Sequence, residues 1–141
     1  MCKVSYVARY TYVDDERNIL KFYTEELSDD GHQVVAFDSG DQLLSRIGFY
    51  QPDVVVLDIK LAGCDGLELL QEIRNRYYDL PVILCSAYET YKEDLQSIAA
   101  DYYVVKSFDV AELKTKIRMA IDTQLSVQIL ETENSLSSDL V

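Results

Sequence analysis

Asp58 closes the run Asp53-Val54-Val55-Val56-Leu57-Asp58, in which four apolar residues lead to a carboxylate. Such a run suits the interior of a parallel sheet covered by helices on both faces. Ligands of those sheets gather outside the carboxyl ends of the strands, where strand order reverses. A carboxylate there is placed for chemistry. Other polar side chains follow β-prone runs in the same way: Asp14 and Asp15 after Tyr10–Val13, Ser86 after Pro81–Cys85, and Lys106 after Tyr102–Val105. If each run is a parallel strand, all of them fall on one sheet edge. Carboxylates crowded within a few ångströms cannot all stay ionised without a counter-charge. A small hard cation supplies it: magnesium takes oxygen ligands, keeps several waters, and needs only one or two protein carboxylates beside phosphate oxygens. A lysine can pair with a carboxylate or a phosphoryl oxygen, and a serine hydroxyl can donate to another. A carboxylate is also a competent nucleophile for phosphoryl transfer, a reaction carried mostly by positioning and charge neutralisation.

The elements that must position these groups read in simple alternation. Glu16 to Leu27 carries Ile19, Leu20, Tyr23 and Leu27 at helical spacing, and Asp30-Gly31 stops it. His32–Phe37 reads as a second strand. Ser39 can cap a helix bearing Leu43, Leu44 and Ile47, which Pro52 ends. After the Asp58 strand and a loop with Gly63, Asp65-Gly66-Leu67-Glu68 has the form of a capping box. Leu67, Leu70 and Ile73 mark the inner face of that helix. A helix with Tyr91, Leu95, Ile98 and Ala99 precedes the strand Tyr102–Val105, and a last helix carries Leu113, Ile117, Ile121 and Leu125. Five strands alternating with five helices, joined by right-handed crossovers, predict an α/β doubly wound parallel sheet. Its domain spans residues 8–125, after an N-terminal extension (1–7). Residues 126–141 turn serine-rich and acidic and read as a C-terminal tail, although the apolar i, i+4 row continues to Ile129 and allows the last helix to extend. Fraying after Leu125 is the expectation, and an extended ridge would suggest a homodimer.

Composition narrows the function classes. The 141 residues suffice for one domain with its own core. A net charge of −12 repels phosphate backbones and anionic lipid, so direct nucleic-acid or membrane-surface binding is not expected. Cys2, Cys64 and Cys85 are odd in number and far apart, and His32 is the single histidine, which leaves little for a nitrogen–sulfur metal site. No signal peptide or membrane-spanning run is visible, and the expected compartment is the cytoplasm.

Taken in order, Val13-Asp14-Asp15-Glu16, Val56-Leu57-Asp58, Asp65-Gly66, Ser86-Ala87 and Tyr103-Val104-Val105-Lys106 resemble the receiver domain of two-component response regulators. The resemblance covers about residues 8 to 125. It implies a flavodoxin-like sheet of strand order 2-1-3-4-5. It also implies that Asp58 is the phosphoacceptor for a histidine kinase or histidine phosphotransfer protein. Magnesium would be held by Asp14, Asp15, Asp58 and the backbone carbonyl of Lys60. Lys106, Ser86 and Ala87 would bind the phosphoryl oxygens, with Ser86 and Tyr103 as the switch pair. A downstream protein would read the face of the fourth helix, fifth strand and fifth helix. Such a protein assists its own phosphorylation and dephosphorylation and is not a free-substrate enzyme. With no output domain in a short tail, it would signal by protein contact.

Two departures from the family pattern bear on this. Lys106 is followed by Ser107, where most receivers carry proline after a cis peptide bond. A cis bond costs about 0.5–1 kcal/mol before proline but about 2.5–4 kcal/mol before serine, which favours trans here. Lys60 and Tyr88, each two residues beyond a site residue, could gate water and tune the lifetime of an acyl phosphate; a solvated loop lysine is the plainer account of Lys60. The tyrosines, among them Tyr10, Tyr12 and Tyr23, read as core or rim. The alternative function is a receiver-fold interaction module independent of phosphorylation. A phosphohydrolase with an aspartyl nucleophile fits poorly, because it would want a second acid where Lys60 stands.

Overall fold

The computed structural model describes residues 9–41, 43–61, 64–87, 100–107 and 109–139. Strands β1 (Arg9–Val13), β2 (Gln33–Phe37), β3 (Val54–Asp58), β4 (Val82–Ser86) and β5 (Tyr102–Val105) form one parallel sheet in the order 2-1-3-4-5. The order reverses at β1, which lies between β2 and β3. This is the doubly wound sheet that the alternation predicts, with the flavodoxin-like order that the resemblance implies. Helices α1 (Arg17–Ser28), α2 (Leu43–Tyr50) and α3 (Gly66–Arg76) and a C-terminal helix (Ala111–Asp139) accompany it. The predicted helix with Tyr91, Leu95, Ile98 and Ala99 lies outside the described residues.

Successive strand residues face opposite sides, so the sheet divides the interior in two. Tyr10, Tyr12, Val54, Val56, Ile83 and Cys85 pack toward α1 and the C-terminal helix. Val13, Val55, Leu57, Val82 and Leu84 pack toward α2 and α3. Every residue of β3 and β4 is buried, as their uninterrupted apolar runs require. Helix α1 ends at a turn where Gly31 takes a positive φ of 84° and donates its N–H to Ser28 O. Among the described residues no helix is long and apolar enough to cross a membrane.

The C-terminal helix differs from the expectation of fraying after Leu125. It runs on to Asp139, through most of the stretch read as a tail, and leaves Ile129 and Leu130 more than half exposed. Its Ser, Thr, Asn and Asp residues beyond Ile121 are weak helix formers, so intrinsic propensity alone does not account for this length. A second difference is a two-residue antiparallel ribbon, Lys60–Leu61 against Cys64–Asp65, in the loop after β3.

Asp65 caps α3, its Oδ1 accepting from Leu67 N–H at 2.9 Å, as the sequence predicts. Gly66 then opens the helix hard against the end of β3. Its N–H donates to Ile59 O at 2.8 Å, and a Cβ at this position would collide with the carbonyl oxygens of Asp58 and Ile59. Gly66→Ala must push the Asp58–Ile59 backbone aside. A loss of about 1–3 kcal/mol is expected, the usual cost of overpacking, read as a lower urea midpoint. An unchanged midpoint would show that α3 is not seated against Asp58.

Candidate functional site

The strand register assembles the site. Val13 pairs with Leu57, Asp58 with Cys85, and Ser86 with Val105. Asp14 therefore leaves β1 level with Asp58, and Lys106 leaves β5 one residue beyond the Ser86 level. Carboxylate oxygens of Asp14, Asp15 and Asp58 lie within 4.8 Å of one another. The Lys106 ammonium sits between two of these groups, its Nζ 2.7 Å from Asp14 Oδ2 and 3.1 Å from Asp58 Oδ2. Asp14 is fully buried and Asp58 nearly so. Asp14 Oδ1 also accepts the Glu16 N–H at 3.0 Å, and Asp14 Oδ2 accepts the Tyr12 hydroxyl at 3.3 Å.

Three clustered carboxylates, two of them in contact with the Lys106 ammonium, offer the oxygen ligands that a divalent cation prefers. Desolvation pulls the Lys106 pKa down, but the hydrogen bond and charge of Asp14, then those of Asp58, outweigh it and hold the value above the ordinary lysine range. The stability that Lys106 gains from its charge is accordingly lost only as pH rises from the unfolded lysine pKa of about 10.4 through the higher folded value. Burial raises the Tyr12 hydroxyl far above its usual pKa, with Cys85 and Asp14 adding to it, so the phenol is a neutral donor. Burial likewise pushes the Cys85 thiol up to about 12.

The remaining predicted residues fall around this centre. Ser86 ends β4, almost fully buried, and its carbonyl accepts Lys106 N–H at 2.7 Å. Ala87 follows it, exposed. Tyr103 is half-buried on β5 and packs on the α2/α3 side. The backbone of Lys60 begins the ribbon beside Asp58, while its side chain and Tyr88 lie outside the described residues. The Lys106–Ser107 bond is trans, and the ammonium reaches both carboxylates with that geometry.

Two residues that read as core do more. Tyr12 bonds the site carboxylate, and the Tyr23 hydroxyl bonds the backbone of Ser107. The available signal was that a buried tyrosine needs a partner for its hydroxyl. Tyr12, two residues before Asp14 on a buried strand, can find one only at the sheet edge.

Comparison with known proteins follows from this geometry. The model of the response regulator receiver domain family matches residues 11–118. The response regulator TrrA of Thermotoga maritima, solved in complex with Mg2+-BeF, superposes with a TM-score of 0.77 at 41% identity over 81% of this chain and 99% of that one. Among curated proteins, the regulatory protein AtoC of Escherichia coli is 32% identical over 94% of this chain, and the two-component response regulator PhoP of Pseudomonas aeruginosa 31% over 74%. The chain spans 29% and 48% of the lengths of those two relatives.

The charge balance makes opposite predictions for two variants in metal-free solution. Lys106→Met leaves two buried carboxylates without their cation and is expected to cost about 3–5 kcal/mol. Asp58→Asn relieves repulsion while the Lys106–Asp14 pair persists, and is expected to raise the urea midpoint. A midpoint lowered by Asp58→Asn would mean that the cluster is not under charge strain.

Proposed function

Because the chain belongs to the response regulator receiver domain family, we propose that Asp58 takes a phosphoryl group from a phosphohistidine of a histidine kinase or phosphotransfer protein. The observation that carries this reading is the Lys106 ammonium bridging Asp14 and Asp58 inside a cluster of three carboxylates. The Asp58 carboxylate attacks phosphorus; its O–P bond forms as the donor's N–P bond breaks, and the imidazole departs with the bonding pair. Lys106, already charged and largely desolvated, balances the negative charge gathered on the phosphoryl oxygens. Ser86 and the Ala87 N–H lie at the end of the neighbouring strand, where they can donate to the remaining oxygens.

Asp14, Asp15, Asp58 and the carbonyl of Lys60 fit magnesium by the hardness of their oxygens and by the clustering of three carboxylates within 4.8 Å. When bound, the ion supplies the neutralisation that lets a phosphoryl group approach a carboxylate cluster. TrrA, solved with Mg2+-BeF, supports this assignment by similarity. Ser86 and Tyr103 act as the switch, and the downstream protein reads the surface around β5 and the C-terminal helix. Lys60 and Tyr88 tune how long the acyl phosphate lasts. The phosphorylation-independent alternative drew on Ser107 in place of proline; that motive weakens where a trans bond still delivers Lys106 to Asp58.

Incubation with acetyl phosphate and magnesium is expected to add a single phosphoryl increment to the intact mass, absent from Asp58→Asn and from a chelated control. No increment in protein that binds magnesium would favour the phosphate-independent module. The exposed Ile129 and Leu130 further suggest pairing of two copies through the C-terminal helix. A dimer mass by light scattering is expected, and a monomer with and without phosphate analogue would dispose of that pairing.

A further inference from the structure

The loop that carries Lys106 is tied to α1 by one side chain. The Tyr23 hydroxyl donates to Ser107 O at 2.8 Å and accepts Ser107 N–H at 2.8 Å. The residues that share these bonds are 84 positions apart. A peptide unit is planar, and Lys106 Cα, C and O lie in the same plane as the Ser107 N–H. Fixing that N–H therefore fixes the plane from which the Lys106 side chain departs. The phenol itself has little freedom. Tyr23 is 3% exposed, and its ring stacks on Tyr12 at 5.4 Å between centroids with 16° between planes. Tyr12 in turn bonds the same Asp14 oxygen that receives Lys106. The stacked tyrosines thus hold both ends of the Asp14–Lys106 pair.

We propose that Tyr23 is a positioning residue for Lys106, acting through the backbone of Ser107 and braced by Tyr12. Ser107 is part of the device, because proline at that position would have no N–H to offer the phenol. The plainer account is that a buried hydroxyl has merely found partners. That account predicts a loss of stability from Tyr23→Phe but no change in the reactivity of the folded protein.

The kinetic test rests on the phosphoacceptor reading above; a second readout does not. Phosphoryl uptake from acetyl phosphate with magnesium is followed by intact mass for the full chain, Tyr23→Phe, Lys106→Ala and the double variant, all at a temperature where circular dichroism shows each folded. Tyr23→Phe is expected to slow uptake by about three- to tenfold, the scale of one net hydrogen bond, and to add nothing in the Lys106→Ala background. In parallel, the Lys106 side-chain 15N resonance of metal-free protein is expected to shift in Tyr23→Phe. Wild-type uptake with an unmoved ammonium resonance overturns the proposal, and so does an equal slowing with and without Lys106. Should wild type take up no phosphoryl group, the phosphoacceptor reading fails, and the resonance alone decides the role of Tyr23. Should Tyr23→Phe not fold, hydrogen exchange in wild type decides: a protected Ser107 N–H is expected, and exchange at the rate of an open loop refutes the clamp.

Discussion

The Lys106–Asp14–Asp58 contact is the constraint on which the rest depends. Burying carboxylates at a sheet edge is costly, and their mutual repulsion adds to the cost of removing them from water. A single ammonium at 2.7 and 3.1 Å offsets part of that, and only while both acids are held within reach of it. Lys106 stands nearer Asp14 than Asp58. The carboxylate assigned to receive the phosphoryl group is therefore the one less committed to the lysine. Asp14, bonded also by Glu16 N–H and the Tyr12 hydroxyl, is the fixed anchor of the pair.

Such a cluster needs a frame that does not yield, and the sheet provides it. Strands β3 and β4 are buried along their whole length. A slip of one residue would turn every side chain to the wrong core and carry Asp58 out of line with Asp14. Apolar packing on two faces thus fixes the register, and the register fixes the distance between charges. Gly66 contributes at the other side of Asp58 by allowing α3 to begin in contact with the strand end. Arg74, bonded to Tyr78 O, Leu80 O and Asp101, closes the turn between α3 and β4 and joins it to the start of β5. The same guanidinium thereby ties together the starts of the two strands that deliver Ser86 and Lys106.

Much of this was legible in the sequence because strand ends are marked chemically. An apolar β-branched run that stops at Asp58, or at Ser86, declares both the element and the point where water begins. The sheet and the five polar residues at its edge follow from that mark. The short ribbon after β3 carries no such mark, since two-residue pairings depend on loop closure rather than on pattern. The C-terminal helix beyond Leu125 was less legible for a related reason: the turn to a serine-rich, acidic composition reads as a tail even where the i, i+4 row runs on to Ile129. Tyr12 and Tyr23 were hidden by their own duality. A tyrosine at a core position satisfies the hydrophobic pattern whether or not its hydroxyl is used, and only the neighbouring elements reveal which.

Exchanging proline for serine after Lys106 alters more than the isomer of one bond. It introduces an N–H beside a buried, charged site, a donor that can take a hydrogen-bond partner. Here Tyr23 supplies the partner from α1, the helix that follows Asp14 and Asp15 in the chain. The strand that brings the acids, the helix after it and the loop that brings the lysine are joined by one stacked pair of rings. Proline would hold such a loop by its own ring, locally and without reference to the rest of the site. A serine held by a tyrosine makes the placement of Lys106 depend on the seating of α1. Displacement of that helix is then felt at the ammonium, and a pull on the ammonium is felt at the helix. In this chain the lysine is coupled to α1 through groups that the sequence pattern alone assigns to the core.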